Sequence, residues 1–256
     1  MMELDTVLFA QQDNIALVYI NRPEALNAFN KQLLMDLQAA FDWIQEHQDI
    51  AVSILSGKGP AFAGGADLAL AQNFNKMAAT QSARMGQKLM NKIEALHCPV
   101  IAAINGPAIG SGAELAWACD FRIASSKAYF MHPEVKFGFC LGWGGSQRLP
   151  FLVGRQRAME IMLLGEAITA EKALEWGLVY QVAAPEELEQ LTMEVAQKIA
   201  RYHPAATSSV KMSAIEGYRT SGTSMAYESH LWGECFANGE PQKRIKLFLD
   251  SRKLNK

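Results

Sequence analysis

The sequence predicts an α/β protein in which a wound sheet of strands and helices is followed by a helical C-terminal extension. In the first 150 residues, short apolar runs alternate with segments whose apolar side chains recur at helical spacing. After Pro150 the periodic segments are helical. Half of the 256 residues are hydrophobic, which is enough to bury a core and excludes wholesale disorder. Because no low-complexity linker interrupts the chain, we expect one core over residues 1–195 and a helical region over 196–256 that packs on it or on neighbouring subunits.

The first predicted elements are a β-hairpin and a helix. The apolar runs 7–10 and 15–20 are separated by a polar tetrapeptide, which is typical of a hairpin. Pro23 ends the second strand, because proline has no N–H to donate to a strand partner. Residues 31–44 carry one apolar face at helical spacing, and Asn30 precedes them as a candidate N-cap.

The remaining elements follow from the same patterns. Strands are expected at 51–55, 100–104 and 121–124, and a helix at 81–96. The expected C-terminal helices are 155–164, 169–176, 185–201, 205–218, 223–235 and 241–250. Thr169 is the candidate N-cap of the second of these helices.

Composition narrows the class of protein. Lys and Arg number 24 against 26 Asp and Glu, so there is no global basic field for nucleic acid. The sequence has no run of about 18 apolar residues, so no membrane span is expected. The acidic N-terminus resembles neither a signal nor a transit peptide, which predicts a cytoplasmic protein. The four cysteines lack a C-x-x-C pair and the histidines lack H-x-x-x-H, so we expect reduced thiols and no metal site.

Two glycine-rich turns, 61–68 and 105–114, each follow a predicted strand and precede a helical stretch. Free N–H groups at such junctions can hold a negative charge, and two converging donors can hold an enolate oxygen. The alternative is that both are tight turns required for packing. Neither matches a P-loop, and the Rossmann fingerprint is poor.

Two carboxylates lie in apolar surroundings. Glu114 sits within an apolar helical stretch and Glu134 follows His132-Pro133, so each is either a functional group or an ordinary surface charge. If burial keeps one of them protonated, the pair supplies an acid and a base, as addition of water to a double bond requires. His132 is either a base or a structural, pocket-lining residue.

A third glycine-rich turn, 142–149, either begins a helix or contacts a ligand. Phe137, Phe139 and Trp143 either line an apolar pocket or belong to the core.

Taken together, these motifs resemble the crotonase (enoyl-CoA hydratase/isomerase) superfamily. The matching segments, in family order and over nearly the whole chain, are 22–28, 62–68, 105–115, 119–124, 133–135 and 144–150. The resemblance implies a crotonase-like spiral of ββα units with a helical C-terminal trimerisation region. It also implies homotrimers or hexamers, and a coenzyme A thioester as substrate with no separate cofactor.

The resemblance also implies roles for individual residues. The Gly64 and Ser111 amides would hold the thioester oxygen, Glu114 would deprotonate water, and Glu134 would protonate the α-carbon. The implied coenzyme A contacts are Ala25, Leu26, Ala66, Asp67, Leu68, Phe248 and Lys253. Retention of both acids favours hydration of a 2-trans-enoyl-CoA to a 3-hydroxyacyl-CoA.

Several alternatives remain at this stage. An enoyl-CoA isomerase or another crotonase-type acyl-CoA enzyme fits the same segments. A non-catalytic binding module, for example for RNA, would rely on a local patch at Lys243, Arg244 and Lys246. A serine hydrolase would use Ser111, but the first glycine of G-x-S-x-G is missing. Leu141 and the segment 243–245 depart from the family pattern and leave the acyl preference open.

Overall fold

The computed structural model describes residues 4–71 and 74–219, which form an α/β structure with two sheets. The described chain divides into two compact units after Arg201. The first unit contains both sheets, and the second contributes one described helix. The expected boundary after residue 195 lies inside a continuous helix, Leu188–Ala200, and the observed division follows that helix instead.

The larger sheet has six strands, five of them parallel. The strands are β1 (Val7–Gln12), β2 (Ile15–Ile20), β3 (Val52–Gly57), β4 (Val100–Ile104), β6 (Phe121–Ser125) and β9 (Gln181–Ala183), paired in that order. The β1–β2 pair is the predicted hairpin, and Asp13 closes its turn with φ of 52°. The smaller sheet joins β5 (Ala108–Ile109), β7 (Tyr129–Met131) and β8 (Ile168–Thr169).

The described helices are α1 (Lys31–Glu46), α2 (Leu68–Ala71), α3 (Lys76–Ala95), α4 (Ser111–Ala118), α5 (Gly145–Leu164), α6 (Ala170–Glu175), α7 (Leu188–Ala200) and α8 (Pro204–Arg219). Helices α1 to α6 lie between strands along the chain, and α7 and α8 follow the last described strand, β9. Short 3₁₀ turns occur at Pro23–Ala25 and Glu134–Phe137. This order of strand and helix confirms the expected wound sheet.

The central parallel strands β3 and β4 are buried on both faces, as is usual for parallel sheets. Ile54 and Ile101 point toward the cluster that contains Leu188 and Val195 of α7. Leu55 and its neighbours on alternate positions point toward the opposite cluster, which α1, α3 and α4 cover. The alternation follows from the period of two along a strand.

Predicted helix ends were correct where the cap is local. The Leu33 amide donates to Asn30 Oδ1 at 2.8 Å, and the Lys172 amide donates to Thr169 Oγ1 at 3.3 Å. Helix α3 begins earlier than expected, because Asn75 accepts from the Ala78 amide at 2.9 Å and caps it. The helix expected over 155–164 already begins at Gly145 and contains a break at Gly154, where φ is 76°.

The expected helices 223–235 and 241–250 lie outside the described residues. Within the described part of the chain, none of the helices is long and apolar enough to cross a membrane. Cys98 and Cys119 are buried, and Cys140 is exposed. Among the described residues, no group of three or more metal-ligating side chains is placed to hold an ion.

Candidate active site

The two glycine-rich turns meet through their backbones. The Ala63 amide donates to Pro107 O at 3.2 Å, and the Ile109 amide donates to Ala63 O at 3.0 Å. A methyl group built on Gly112 would lie 2.0 Å from Ala63 O, so no larger residue fits at this crossing. The structure therefore brings the two turns together. Gly112 is required for this close packing, whether or not the turns also bind a ligand.

Asn27 fixes the shape of the first turn. Its side chain is completely buried, and its Nδ2 donates to Ala61 O at 2.8 Å and to Lys58 O at 3.0 Å. Its Oδ1 accepts from the Arg22 amide at 2.8 Å. A buried amide with all these partners is a rigid connection, so the turn is held in place from outside its own sequence.

The second expected donor, Ser111, is the first residue of α4. The first amides of a helix have no partner within the helix, and none of the described residues accepts from the Ser111 amide. Gly65 of the first turn lies beside it, because a methyl group on Gly65 would be 3.8 Å from Ser111 N. The first turn therefore passes directly in front of the free end of α4.

The expected role of Gly64 is wrong in this structure. Its amide donates to Leu26 O at 2.8 Å, so that donor is already occupied. The Ala66 amide, two residues later, has no acceptor among the described residues. Ala66 was expected only as a coenzyme A contact. The local sequence gives only a weak indication of which of the two amides is free, because the acceptor for the Gly64 amide, Leu26 O, comes from a distant segment.

Glu114 is buried, with 2% of its surface exposed, and its carboxylate is held by backbone amides. Its Oε1 accepts from the Trp143 amide at 2.9 Å and from the Gly145 amide at 2.8 Å. Burial raises the pKa of Glu114 above its ordinary value of 4.5, and these two amides oppose that rise by stabilising the ionised form. A charge on His132 would lower this pKa, and a charge on Glu134 would raise it.

The third glycine-rich turn therefore does two things. It begins helix α5, and its amides hold Glu114, which the sequence analysis did not foresee. The Trp143 side chain belongs to the core and packs edge-to-face on Phe29, with ring centroids 4.8 Å apart. In contrast, Phe137 and Phe139 are exposed and stack on each other.

Glu134 is the second buried carboxyl, with 6% of its surface exposed. A methyl group on Gly110, the residue that precedes α4, would lie 3.1 Å from Glu134 Oε1. Both predicted acids therefore lie at the N-terminal end of α4. Glu134 Oε2 is buried and has no hydrogen-bond partner among the described residues.

His132 is completely buried and stands between an indole and Glu134. Trp117 Nε1 donates to His132 Nε2 at 3.0 Å, and His132 Nδ1 lies 3.4 Å from Glu134 Oε1. Both ring nitrogens therefore face protein groups, which favours the structural interpretation of this histidine over the base. Trp117 was not singled out from the sequence.

The described residues expected to contact coenzyme A lie next to these turns. Leu26 accepts from the Gly64 amide, and Phe29 bridges to Ala66, so the segment 25–29 runs beside the first turn. Leu26 and Leu68 are about half exposed, and Ala66 is exposed. Phe248 and Lys253 lie outside the described residues.

Comparisons with known proteins agree with this structure. The family model described as enoyl-CoA hydratase/isomerase matches residues 10–255, so the chain belongs to the enoyl-CoA hydratase/isomerase family. A crotonyl-CoA hydratase from Syntrophomonas wolfei is 39% identical over 99% of this chain and 98% of its own length. A short-chain-enoyl-CoA hydratase from Clostridium acetobutylicum is 37% identical over 99% of this chain and 98% of its own length.

The fold is shared as well. The crystal structure of an enoyl-CoA hydratase from Bacillus anthracis superimposes with a TM-score of 0.92 and 33% identity, covering 96% of this chain and 97% of the other. These findings confirm the crotonase-type α/β fold that the motifs predicted.

Proposed function

We propose that Glu114 and Glu134 are the base and the acid with which this enzyme, an enoyl-CoA hydratase, adds water across the 2,3 double bond of a 2-trans-enoyl-CoA. The product is a 3-hydroxyacyl-CoA. One observation carries the proposal: two buried carboxyls lie at the N-terminal end of α4, where amides without protein acceptors also lie. The site thus combines acid–base groups with donors for a developing negative charge.

The donors for the thioester oxygen are the amides of Ser111 and Ala66. As hydroxide adds to C3, negative charge moves to the thioester oxygen and an enolate forms. The Ser111 amide adds the partial positive charge of a helix N-terminus. Ala66 takes the role first expected of Gly64, because its amide has no acceptor in the described chain whereas that of Gly64 does.

Glu114 is the base for the attacking water. Two backbone amides donate to its Oε1, so the ionised form is stabilised although the residue is buried. At the same time, burial raises its pKa, which makes the carboxylate a stronger base than one in water. Glu114 takes one proton from water, and the remaining hydroxide forms the bond to C3.

Glu134 is the acid for C2. Its Oε2 is buried and has no hydrogen-bond partner in the described residues, so a proton on this atom is not held by another protein group. Transfer of that proton to C2 discharges the enolate and leaves Glu134 ionised. Return of one proton from Glu114 to Glu134 through water restores both residues. Every step uses groups of the chain and water.

The expected coenzyme A contacts belong to the same proposal. Ala25, Leu26, Ala66, Asp67 and Leu68 are adjacent to the thioester donors through the Leu26–Gly64 and Phe29–Ala66 backbone contacts. The exposed Leu26 and Leu68 side chains provide apolar surface for the pantetheine arm. Phe248 and Lys253 stay predictions that rest on the family resemblance.

The test is an assay of crotonyl-CoA hydration, in which the decrease in enoyl absorbance measures the rate. Glu114→Gln and Glu134→Gln should each lower kcat by about 10³-fold, the middle of the range for a general acid or base. Glu46→Gln, an exposed change at the end of α1, is the matched control and should leave kcat unchanged. If either active-site variant keeps full activity, its assigned role is wrong.

The same variants distinguish a hydratase from an enoyl-CoA isomerase. A 3-enoyl-CoA is offered to each protein, and migration of its double bond is measured. Migration that survives Glu114→Gln while hydration is lost would indicate that isomerisation needs only Glu134. Hydration of crotonyl-CoA that is abolished by either substitution supports simple hydration chemistry at this pair.

The proposal also covers the oligomeric state of the protein and its location in the cell. We infer from the family resemblance a homotrimer or a hexamer in the cytoplasm. Exposed apolar side chains on α5, Phe151, Leu163 and Leu164, are consistent with surface that another subunit covers. Sedimentation equilibrium of the full chain distinguishes a monomer from three or six copies.

A further inference from the structure

A buried relay connects helix α4 to the carboxyl of Glu134. Trp117 lies one helical turn after Glu114 on α4, and its indole N–H donates to His132 Nε2 at 3.0 Å. His132 Nδ1 in turn lies 3.4 Å from Glu134 Oε1. We infer that Trp117 and His132 form a positioning device that holds Glu134 for catalysis, with His132 as a neutral imidazole protonated at Nδ1.

The tautomer follows from the chemistry of the indole. An indole nitrogen can only donate, so the Nε2 atom that faces it must be the unprotonated, accepting nitrogen. The proton of a neutral imidazole is then on Nδ1, where it can be donated to Glu134 Oε1. An imidazolium would place an Nε2 proton against the indole proton.

This arrangement decides which oxygen of Glu134 is free. Oε1 receives the Nδ1 proton of His132, whereas Oε2 has no partner among the described residues. The relay therefore prevents the carboxyl from rotating and directs Oε2 as the proton-carrying atom. Because Trp117 is on the same helix as Ser111 and Glu114, one rigid element orients the base, one thioester donor and the acid.

The geometry also argues against His132 as a base in its own right. The imidazole is completely buried, and each ring nitrogen faces a protein group, so neither is left to contact a substrate. His132 is thus a positioning residue that acts through Glu134. The inference rests on the proposed role of Glu134, and the experiment separates the two.

Three substitutions test the relay by steady-state kinetics on crotonyl-CoA. His132→Leu removes both hydrogen bonds and should lower kcat by about 100-fold with little change in KM, because a misplaced catalytic group is costly while binding is unaffected. His132→Gln keeps one donor and one acceptor but cannot titrate, and should stay within about fivefold of wild type. Trp117→Phe removes only the N–H and should lower kcat by about fivefold.

A second Trp–His pair in the chain supplies the control. Trp43 of α1 and His47, the residue that follows α1, stack with ring centroids 3.6 Å apart, and neither contacts the site residues described above. Trp43→Phe and His47→Gln should leave kcat and KM unchanged. A double-mutant cycle adds a further test, because Trp117→Phe should have no additional effect on kcat once His132 is leucine.

The outcomes are distinct. Wild-type kcat in His132→Leu or in Trp117→Phe overturns the relay, and so does a His132→Gln protein as slow as His132→Leu, since that result would require the imidazole itself. If Glu134→Gln remains active, the proposed function fails first. If Glu134→Gln is inactive and His132→Leu is not, only the relay fails.

A spectroscopic measurement does not depend on activity or on the stability of the leucine variant. With ¹⁵N-labelled histidine in the full chain, the imidazole resonance that disappears in His132→Gln belongs to His132. At neutral pH its nitrogen shifts should identify a protonated Nδ1 and an unprotonated Nε2. A protonated Nε2 overturns the inference.

Discussion

Gly145 lies directly against the side chain of Glu114. Its amide donates to Glu114 Oε1 at 2.8 Å, and a methyl group at Gly145 would be 2.7 Å from Glu114 Cγ and 3.1 Å from Oε1. One residue thus provides both a hydrogen bond to the carboxylate and the space that the carboxylate occupies. A change at Gly145 therefore acts on the proposed base without altering a titratable group.

We expect Gly145→Ala to lower kcat for hydration by about 10- to 100-fold, because the added methyl group displaces the Glu114 carboxylate from its position. Gly142→Ala is the matched control in the same turn. A methyl group there meets only Ala83 Cβ at 3.7 Å, an ordinary contact, so kcat should not change. Equal effects of the two substitutions would contradict the role assigned to Gly145. Steady-state kinetics decides between these results.

Ser111 distinguishes a backbone donor from a side-chain nucleophile. Proline is tolerated at the first position of a helix, where Ser111 lies, and it removes the N–H together with the hydroxyl. Ser111→Pro should lower kcat by about 10²- to 10³-fold, the cost of losing one oxyanion donor. Ser111→Ala keeps the amide and should remain within about fivefold of wild type, the equivalent of one hydrogen bond. An inactive alanine variant that folds normally, or labelling of Ser111 by a fluorophosphonate, would instead favour the hydrolase.

The raised pKa of Glu114 has a consequence for stability against pH. Because burial raises the folded-state pKa above 4.5, the folded protein binds more protons than the unfolded chain between these two values. The stability from this group is complete below pH 4.5 and is lost as the pH rises through the folded-state pKa. Glu114→Gln should therefore raise Tm relative to wild type at neutral pH, and the difference should shrink toward acid pH. A constant difference across a pH series of thermal melts would contradict this.

The turn that holds Glu114 is itself tied to α3 by Arg148. Its guanidinium makes two hydrogen bonds with Glu94, at 2.8 and 2.7 Å, and donates to Trp143 O at 3.3 Å. Glu94→Gln should lower the free energy of unfolding by about 2 kcal/mol, as expected for charged hydrogen bonds that are mostly buried.

A surface ion pair on the same helix provides the comparison for Glu94. Asp42, with 58% of its side chain exposed, pairs with Lys92 of α3. Asp42→Asn should change the free energy of unfolding by only about 0.5 kcal/mol, because water and salt screen exposed pairs. Urea titrations of both variants give the two values. Similar losses would show that the Arg148 pair has no special role.

Much of the fold could be predicted from local sequence patterns. The strands Ile15–Ile20 and Val100–Ile104 were predicted with their observed bounds, because each is a continuous apolar run flanked by polar or turn residues. The Asn30 and Thr169 caps were also predicted, since a cap involves residues only three positions apart. Such features depend on residues that are close together along the chain.

The features that local patterns did not predict depend on residues that are distant along the chain. The role of Gly64 depended on Leu26 O, which is distant along the chain and occupies the amide. The turn 142–149 was left open between a helix start and a ligand contact; it begins α5, and its amides are satisfied in part by Glu114 rather than by a local cap. The relay through Trp117 joins α4 to the loop after β7, which no spacing rule connects.

The sequence by itself determined the class of fold and the family, and it singled out Glu114 and Glu134 as carboxyls in apolar surroundings, because apolar periodicity and motif order are written along the chain. The tertiary structure alone decided which amides are free, which oxygen of Glu134 is unpartnered, and what holds Glu114. These properties depend on which distant groups meet inside the core, where every polar atom must find a partner or remain available to a ligand.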